Sequence, residues 1–399
     1  MKVILVHNYY GSTAPSGENQ VFEAERDLLR ENGHEVLEFV RHSDEIRSMR
    51  YFGTVIGGLS TPWSPWAAAG IRCMVDDFRP DVVHVHNTFP LISPAIFHAI
   101  GDRAARVLSL HNYRLFCPAG IPIRAGRVCT ECLDTRSVWP ALRYGCYRNS
   151  RLSTMPLAIS VALHRKLGTW TRHVDAYIAS TKFQREIMVA AGLPEGSVHV
   201  KPYFTGNLKP VPWRDRDNYA VFVGRLSVEK GVKTLLSAWK SVSGLPLKII
   251  GYGPLRRILE SQVSAQGINA EFLGEVPREN LLSLVSGAYL QIVPSECYEG
   301  FPMVILEAFA GGTPVVASRV GSLSEIVLDG ETGLHFKAGD PVDLARRVNS
   351  LIERPELAYR MGMKAREIFL EKYTAEKNLD LLIGIYSSAR ENIEVRRKH

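Results

Sequence analysis

Apolar residues in the first half of the chain fall into short strand-length runs separated by helical stripes. Residues 3–6 (VILV) make one continuous run, and 35–39, 81–86 (DVVHVH) and 106–110 (RVLSL) make three more. Between the first two, residues 18–32 place Val21, Ala24, Leu28 and Leu29 at helical spacing, and Gly33 supplies a stop. Strands alternating with helices predict a parallel sheet covered on both faces. Periodicity then fades over residues 201–218 (KPYFTGNLKPVPWRDRDN), where three prolines mark a linker. A second series follows, with apolar runs at 219–223, 247–250, 271–273, 290–293 and 315–317.

Two such halves predict an α/β protein of two Rossmann-like parallel-sheet domains facing across a cleft. Ligands of open α/β sheets bind at the carboxyl ends of the strands, so the site is expected in that cleft. The expected limits are 1–205 for the first domain, with a cysteine-containing insertion at 117–146, and 206–375 for the second. Residues 376–399 are expected to form a helix that packs back toward the first domain.

Composition narrows the class. A length of 399 residues suits two ordinary domains, and 46% hydrophobic with 22% charged residues excludes a disordered chain. No apolar run reaches the roughly 20 residues of a membrane-spanning helix. The opening MKVILVHNYY is too short in its apolar part for a signal peptide, and six cysteines do not suggest a secreted disulfide framework. A cytoplasmic protein is therefore expected, peripheral on the inner face of the membrane if the next feature is functional. The net charge is +7, but residues 103–172 hold twelve Arg or Lys against Glu131 and Asp134, a local +10. Such a stretch fits an anionic membrane surface or a phosphate-bearing acceptor; the plain alternative is a solvated face. TPWSPW (61–66) sets two tryptophans in a loop region, which suits a membrane interface or packing under a long loop. The cations are not interleaved with a stacking platform, so nucleic acid is not an expected partner.

Six segments carry candidate chemistry. GSTAPSGENQ (11–20) follows the first strand. Its small residues, Gly17 among them, let a backbone approach an anion at a helix start. VGRLSVEKG (223–231) places Gly224, Arg225 and Lys230 after a strand, where two cations suit a diphosphate whose charge grows as a bond breaks. IIGYGP (249–254) and FLGEV (272–276) offer Gly251, Gly253, Gly274 and Val276 as backbone contacts to a nucleotide. In PSECYEGFPMVILEAFAGGTPVVAS (294–318), Glu299, Gly300 and Phe301 precede a helix that contains Glu307. Free N–H groups at a helix start and carboxylates that accept hydroxyl pairs suit a sugar or ribose. SLHNYRLFCP (109–118) puts His111 at a strand's carboxyl end. His84 and His86 share one face of their strand and read as packing, with no third metal ligand to name.

These segments, with SGENQVFEAERDLLRENGHEV (16–36), PDVVHVHN (80–87) and GETGLHFKAGD (330–340) as a late turn, occur in one order. The chain so resembles family 4 of the retaining glycosyltransferases, of GT-B fold, over nearly its whole length. The resemblance implies a nucleotide-sugar donor carrying UDP or GDP, and Arg225 and Lys230 on the donor diphosphate. Glu299 would contact sugar hydroxyls, Glu307 the ribose, His111 the donor sugar near the reacting centre, and Gly300 and Phe301 would offer backbone contacts. It implies no obligatory catalytic metal and front-face attack, so Glu299 is not a covalent nucleophile. Where many members carry Gly-Gly in the first loop, this chain has Ser16-Gly17.

The expected function is thus a retaining hexosyltransferase acting on a lipid-linked or polysaccharide acceptor in cell-surface glycan biosynthesis. A GT-B isomerase or hydrolase of nucleotide sugars, and a non-catalytic sugar-nucleotide-binding scaffold, are the alternatives. Separately, Cys117, Cys129, Cys132 and Cys146 match the count for a structural zinc site or for free thiols in an insertion.

Overall fold

In the computed structural model the described residues are 1–11, 16–48 and 50–397. They divide into two compact units. The first comprises Met1–Pro122, Thr130–Pro202 and Asn378–His399; the second comprises Ile123–Cys129 and Tyr203–Lys377.

The first unit is built on β1 (Lys2–Tyr9), β2 (Glu35–His42), β3 (Val82–Asn87) and β4 (Ala105–Leu110). β5 (Ile123–Arg124) and β6 (Arg127–Val128) form a separate antiparallel hairpin, which belongs to the second unit. β7 (Ala176–Ala179) and β8 (Val198–Val200) complete a parallel sheet ordered β2-β1-β3-β4-β7-β8. β1 is buried from Val3 to Asn8, as expected for a strand with neighbours on both sides and helices on both faces. The helix Gly17–Glu31 lays Val21, Phe22, Leu28 and Leu29 on the sheet, and Glu25 occupies the same buried stripe. Residues after Asn378 return to this core: Leu382, Ile385, Tyr386, Ala389 and Ile393 pack with Val3, Leu5, Phe22 and Val107. β7 and β8 are four and three residues long, too short to show a period.

The second unit holds β9 (Ala220–Val223), β10 (Leu247–Ile250), β11 (Ala270–Gly274), β12 (Leu290–Val293), β13 (Val315–Ser318) and β14 (Gly333–Phe336). They form a parallel sheet ordered β11-β10-β9-β12-β13-β14 over a core that includes Phe222, Leu235, Ile249, Leu290, Val316 and Phe336. Between β8 and β9 the chain makes only one short 3-10 turn, Trp213–Asp215.

Some local expectations are corrected. GETGLHFKAGD is more than a turn, since it contains β14. Gly333 is required there, because a Cβ would fall 1.8 Å from the Val315 carbonyl oxygen of the neighbouring strand. TPWSPW is not all loop: Ser64 caps the helix Pro65–Phe78, its Oγ accepting from the Ala67 N–H at 3.4 Å, and Pro65 fills the first helical turn. The basic run is not one solvated face. Arg106 is buried and donates to both carboxylate oxygens of buried Asp175, at 3.0 and 3.2 Å. Arg103 pairs with Asp76 at 3.0 Å, and Arg114 lies 4.4 Å over the Phe89 ring.

Candidate functional site

In the second unit, loops at the carboxyl ends of the strands touch through glycine. Gly251 has φ +133°, and a Cβ on it would lie 2.0 Å from the Gly224 carbonyl oxygen. A Cβ on Gly253 would lie 2.4 Å from the Leu226 oxygen. Backbone bonds cross the row: the Gly224 N–H donates to Ile250 O (3.0 Å), Leu226 N–H to Tyr252 O (2.9 Å) and Gly251 N–H to Gly274 O (2.8 Å). Gly224, Gly251 and Gly274 therefore line the ends of β9, β10 and β11, and half-buried Val276 lies just beyond.

Beside this row stands a cation. Lys230 ends the short turn Val228–Lys230, and Gly231 (φ +66°) opens the helix Val232–Trp239. The Lys230 Nζ donates to Glu299 Oε2 at 2.7 Å. The other Glu299 oxygen accepts from the Ser295 hydroxyl, and the Glu299 carbonyl accepts from Ser322 Oγ at 2.7 Å. Burial opposes the charge on Lys230, but the Glu299 carboxylate outweighs it and raises the lysine above its ordinary value. The loops after β9 and β12 are further joined by Glu296 N–H to Glu229 O (2.8 Å) and Thr234 Oγ1 to Glu296 Oε1 (2.6 Å). Arg225 is exposed on the first of these loops. An ammonium held charged by one carboxylate, beside open backbone, can accept a phosphate as a second anionic partner.

Glu307, on the helix Met303–Ala310, is 2% exposed and accepts from Arg278 Nη1 at 3.1 Å. Burial raises its pKa and Arg278 pulls the other way. The Phe301 ring packs 5.2 Å from the Tyr203 ring and 6.0 Å from that of Tyr373, so only its backbone, like that of half-buried Gly300, is placed for a ligand.

In the first unit, His111 lies just past β4 and is buried. Its Nε2 is 3.0 Å from His86 Nδ1, with the rings stacked 5.1 Å apart. His86 Nε2 faces Glu25 Oε2 at 3.7 Å, and Glu25 Oε1 receives the Lys201 ammonium at 2.6 Å. His84 bonds to the Tyr386 hydroxyl and to Ser109 Oγ, both at 2.8 Å, and His7 Nε2 bonds to Asn19 Oδ1 at 2.9 Å. Burial pushes His111 down to about 3 and His7 to about 4, and holds His84 and His86 well below the ordinary value. The rings are neutral at pH 7. With a carboxylate facing its Nε2, His86 is best satisfied as the Nε2–H tautomer, so its Nδ1 accepts the His111 Nε2–H.

Sequence reasoning singled out His111 but not Glu25 or Lys201. Among the described residues, Glu25, His84 and His86 bring three ligand atoms within 4.8 Å of one another. Glu25 is thus the third group that the sequence could not name, and Lys201 already supplies the positive charge there. The zinc expectation gains no support: among the described residues Cys117, Cys132 and Cys146 of the first unit form no group of candidate metal ligands, and none of the four cysteines is in a disulfide. Of the first-loop expectation, residues 12–15 lie outside the described residues. Gly17 begins the helix Gly17–Glu31, and Glu18 beside it accepts from Asn112 Nδ2 at 3.0 Å, next to His111. Ser295, Ser322 and Arg278 carried no signal in the sequence.

Two parallel α/β units, one with a glycine-lined row of strand ends beside a paired lysine, define a two-domain α/β protein of GT-B type. The chain belongs to the GT-B glycosyltransferases. Residues 17–203 match Glycosyltransferase Family 4, and residues 206–368 match Glycosyl transferases group 1. The sulfoquinovosyl transferase SQD2 of Arabidopsis thaliana is 26% identical over 380 residues, 90% of this chain and 68% of that one. The glycogen synthase of Mycobacterium tuberculosis is 35% identical over 176 residues, 43% of this chain and 42% of its own, so the chain spans under half of that relative. In fold, the chain resembles Anabaena HepE, solved with UDP, at TM-score 0.68 and 18% identity over 97% of this chain and 100% of the other.

Proposed function

We propose that the protein transfers a sugar from a nucleoside-diphosphate donor, UDP- or GDP-linked, to an acceptor hydroxyl with retained anomeric configuration. The observation that carries this is the Lys230–Glu299 pair, 2.7 Å apart beside the glycine-lined ends of β9 to β11. The names of relatives support the reading: a sulfoquinovosyl transferase, a glycogen synthase and a UDP-bound structure.

In this reading Arg225 and Lys230 take the diphosphate and offset the charge that grows on it as the anomeric C–O bond breaks. Glu299 orients Lys230 and accepts from donor sugar hydroxyls, and Glu307 binds the ribose. Gly17, Gly224, Gly251, Gly253, Gly274, Val276, Gly300 and Phe301 let the backbone approach the donor. His111, held by His86, meets the donor sugar. The acceptor oxygen bonds to the anomeric carbon on the face that the diphosphate leaves, and its proton passes to the departing phosphate oxygen. The products are a nucleoside diphosphate and a glycoside. The acceptor class is lipid-linked or polysaccharide, within cell-surface glycan synthesis.

Thermal-shift screening against UDP-, GDP- and ADP-sugars, followed by turnover with and without an acceptor, tests this. Stabilisation by one donor and acceptor-dependent release of nucleoside diphosphate are expected, both lost in Lys230→Ala. Donor consumption that ignores the acceptor points instead to a hydrolase or isomerase, and binding without turnover points to a scaffold.

A further inference from the structure

We propose that one face of the first unit docks on an anionic lipid bilayer. Its centre is the helix Arg151–Lys166, which buries Leu157, Ala158, Val161 and His164. On its outer side stand Leu152, 75% exposed, and exposed Met155 and Ile159. These positions recur at steps of three and four, so they form one stripe turned to solvent. A surface helix ordinarily shows water a polar face, and here that face is apolar.

The stripe does not stand alone. The helix Arg50–Ser60 lies beside it, since a Cβ on Gly58 would sit 3.6 Å from Pro156 Cγ at the stripe's edge. Next to Gly58 are Leu59, 72% exposed, and exposed Val55 and Ile56. The chain after this helix is tied to the first by Ser160 Oγ donating to Thr61 O (3.2 Å) and His164 Nε2 bonding Pro62 O (2.8 Å). Four residues on comes Trp66, 73% exposed in the first turn of Pro65–Phe78. The helix Trp139–Tyr144 joins from the other end, where Arg151 Nε donates to Arg143 O at 3.1 Å, and it exposes Trp139 and Tyr144.

Charge decides the occupant. Arg72, Arg143, Arg148, Arg151 and Lys166 are exposed around these apolar residues. The sequence holds no Asp or Glu from 46 to 75 or from 135 to 174, and Asp76 at the far end of its helix is paired with Arg103. A second copy seated symmetrically would press these cations on one another. A bilayer with anionic headgroups satisfies every part: cations attract the lipid charge, Trp and Tyr favour the interface, and the aliphatic side chains enter the acyl boundary. No helix of the described residues is long and apolar enough to cross a membrane, so the attachment is to the surface.

The same helices reach the site. Thr61, Leu157, Ser160 and Val161 line a pocket that extends to His86 and His111. Docking does not depend on the glycosyl-transfer reading. The further step, that the bilayer presents the acceptor to this pocket, rests on it.

The test is sedimentation with vesicles of phosphatidylcholine alone and of phosphatidylcholine with phosphatidylglycerol. Binding is expected only to the anionic vesicles and to weaken with salt. Leu152→Glu with Ile159→Glu, and separately Arg143→Glu with Arg151→Glu, should each lower the partition coefficient at least about ten-fold. All these side chains are exposed, so an unchanged melting temperature and an unchanged UDP-dependent shift would show the variants folded. The proposal is overturned by failure of the wild type to bind anionic vesicles, or by unchanged binding of the Leu152/Ile159 variant. A wild-type dimer that this variant dissolves would overturn it equally, in favour of a self-interface. Loss of the UDP shift in the wild type would count against the donor reading alone.

Discussion

Replacing Lys201 by Met should destabilise the first unit more than any surface change. Its ammonium lies 2.6 Å from Glu25 Oε1 and 3.1 Å from Asn378 Oδ1, with both ions of the pair 1% exposed. At 2.6 Å the gross attraction is about 6 kcal/mol at an effective dielectric near 20. Desolvation of two ions offsets most of that, so the pair itself adds little. Removing one partner is different, because Glu25 then faces neutral His84 and His86 as an uncompensated buried carboxylate. The expected loss is about 3–5 kcal/mol, or on the order of 10 °C in melting temperature for a unit of this size. Glu25→Gln combined with Lys201→Met removes both charges and should recover most of the loss. Calorimetry on the two single variants and the double decides the matter. A loss under about 1 kcal/mol for Lys201→Met, or a double variant no better than the single, would refute the reasoning. The charge on Lys201 also lowers His111, so the His111 titration should move upward in Lys201→Met.

The buried histidines make the fold acid-sensitive. His7 at about 4 and His111 at about 3 bind fewer protons folded than unfolded, so stability is full above about pH 6.5 and falls as pH drops toward the folded values. Each ring still neutral at pH 5 contributes about 2 kcal/mol of that loss; a urea midpoint unchanged from pH 7 to 5 would contradict this. Gly231→Ala puts a Cβ 1.8 Å from the Pro294 oxygen at a φ of +66°. It must shift the turn that bears Lys230, so UDP affinity measured by calorimetry should fall at least about ten-fold. Glu307→Gln keeps the shape but loses the charge that Arg278 meets, and should weaken nucleotide binding by about ten- to hundred-fold. Equal affinity would remove Glu307 from the site.

Much of the fold was legible because its strands are continuous apolar runs: residues 3–6, 247–250 and 290–293 fall within or coincide with β1, β10 and β12. Short strands were not legible, since three or four residues such as those of β8 show no period. β14 was hidden by the glycine that lets it pair, because Gly333 reads locally as a turn. Among the candidate donor-site residues, Gly224 and Gly251 could be singled out because each directly follows a strand run, and Lys230 because it ends the short turn in the loop after one. Glu25 carried a signal that went unread: it stands three residues after Phe22 and three before Leu28, a charge in the middle of an apolar stripe. Lys201 carried none. It lies 176 residues from its partner in sequence, and only the sheet brings the two together.

The returning segment sets an order of events during synthesis. Tyr386 bonds His84, Asn378 bonds Lys201, and Leu382 and Ile385 finish the hydrophobic core begun by Val3 and Leu5. The ribosome has therefore made every residue of the second unit before the first can close. Until then the earliest-made strands wait with an open flank, a nascent state in which β1 and β3 are natural clients of a chaperone.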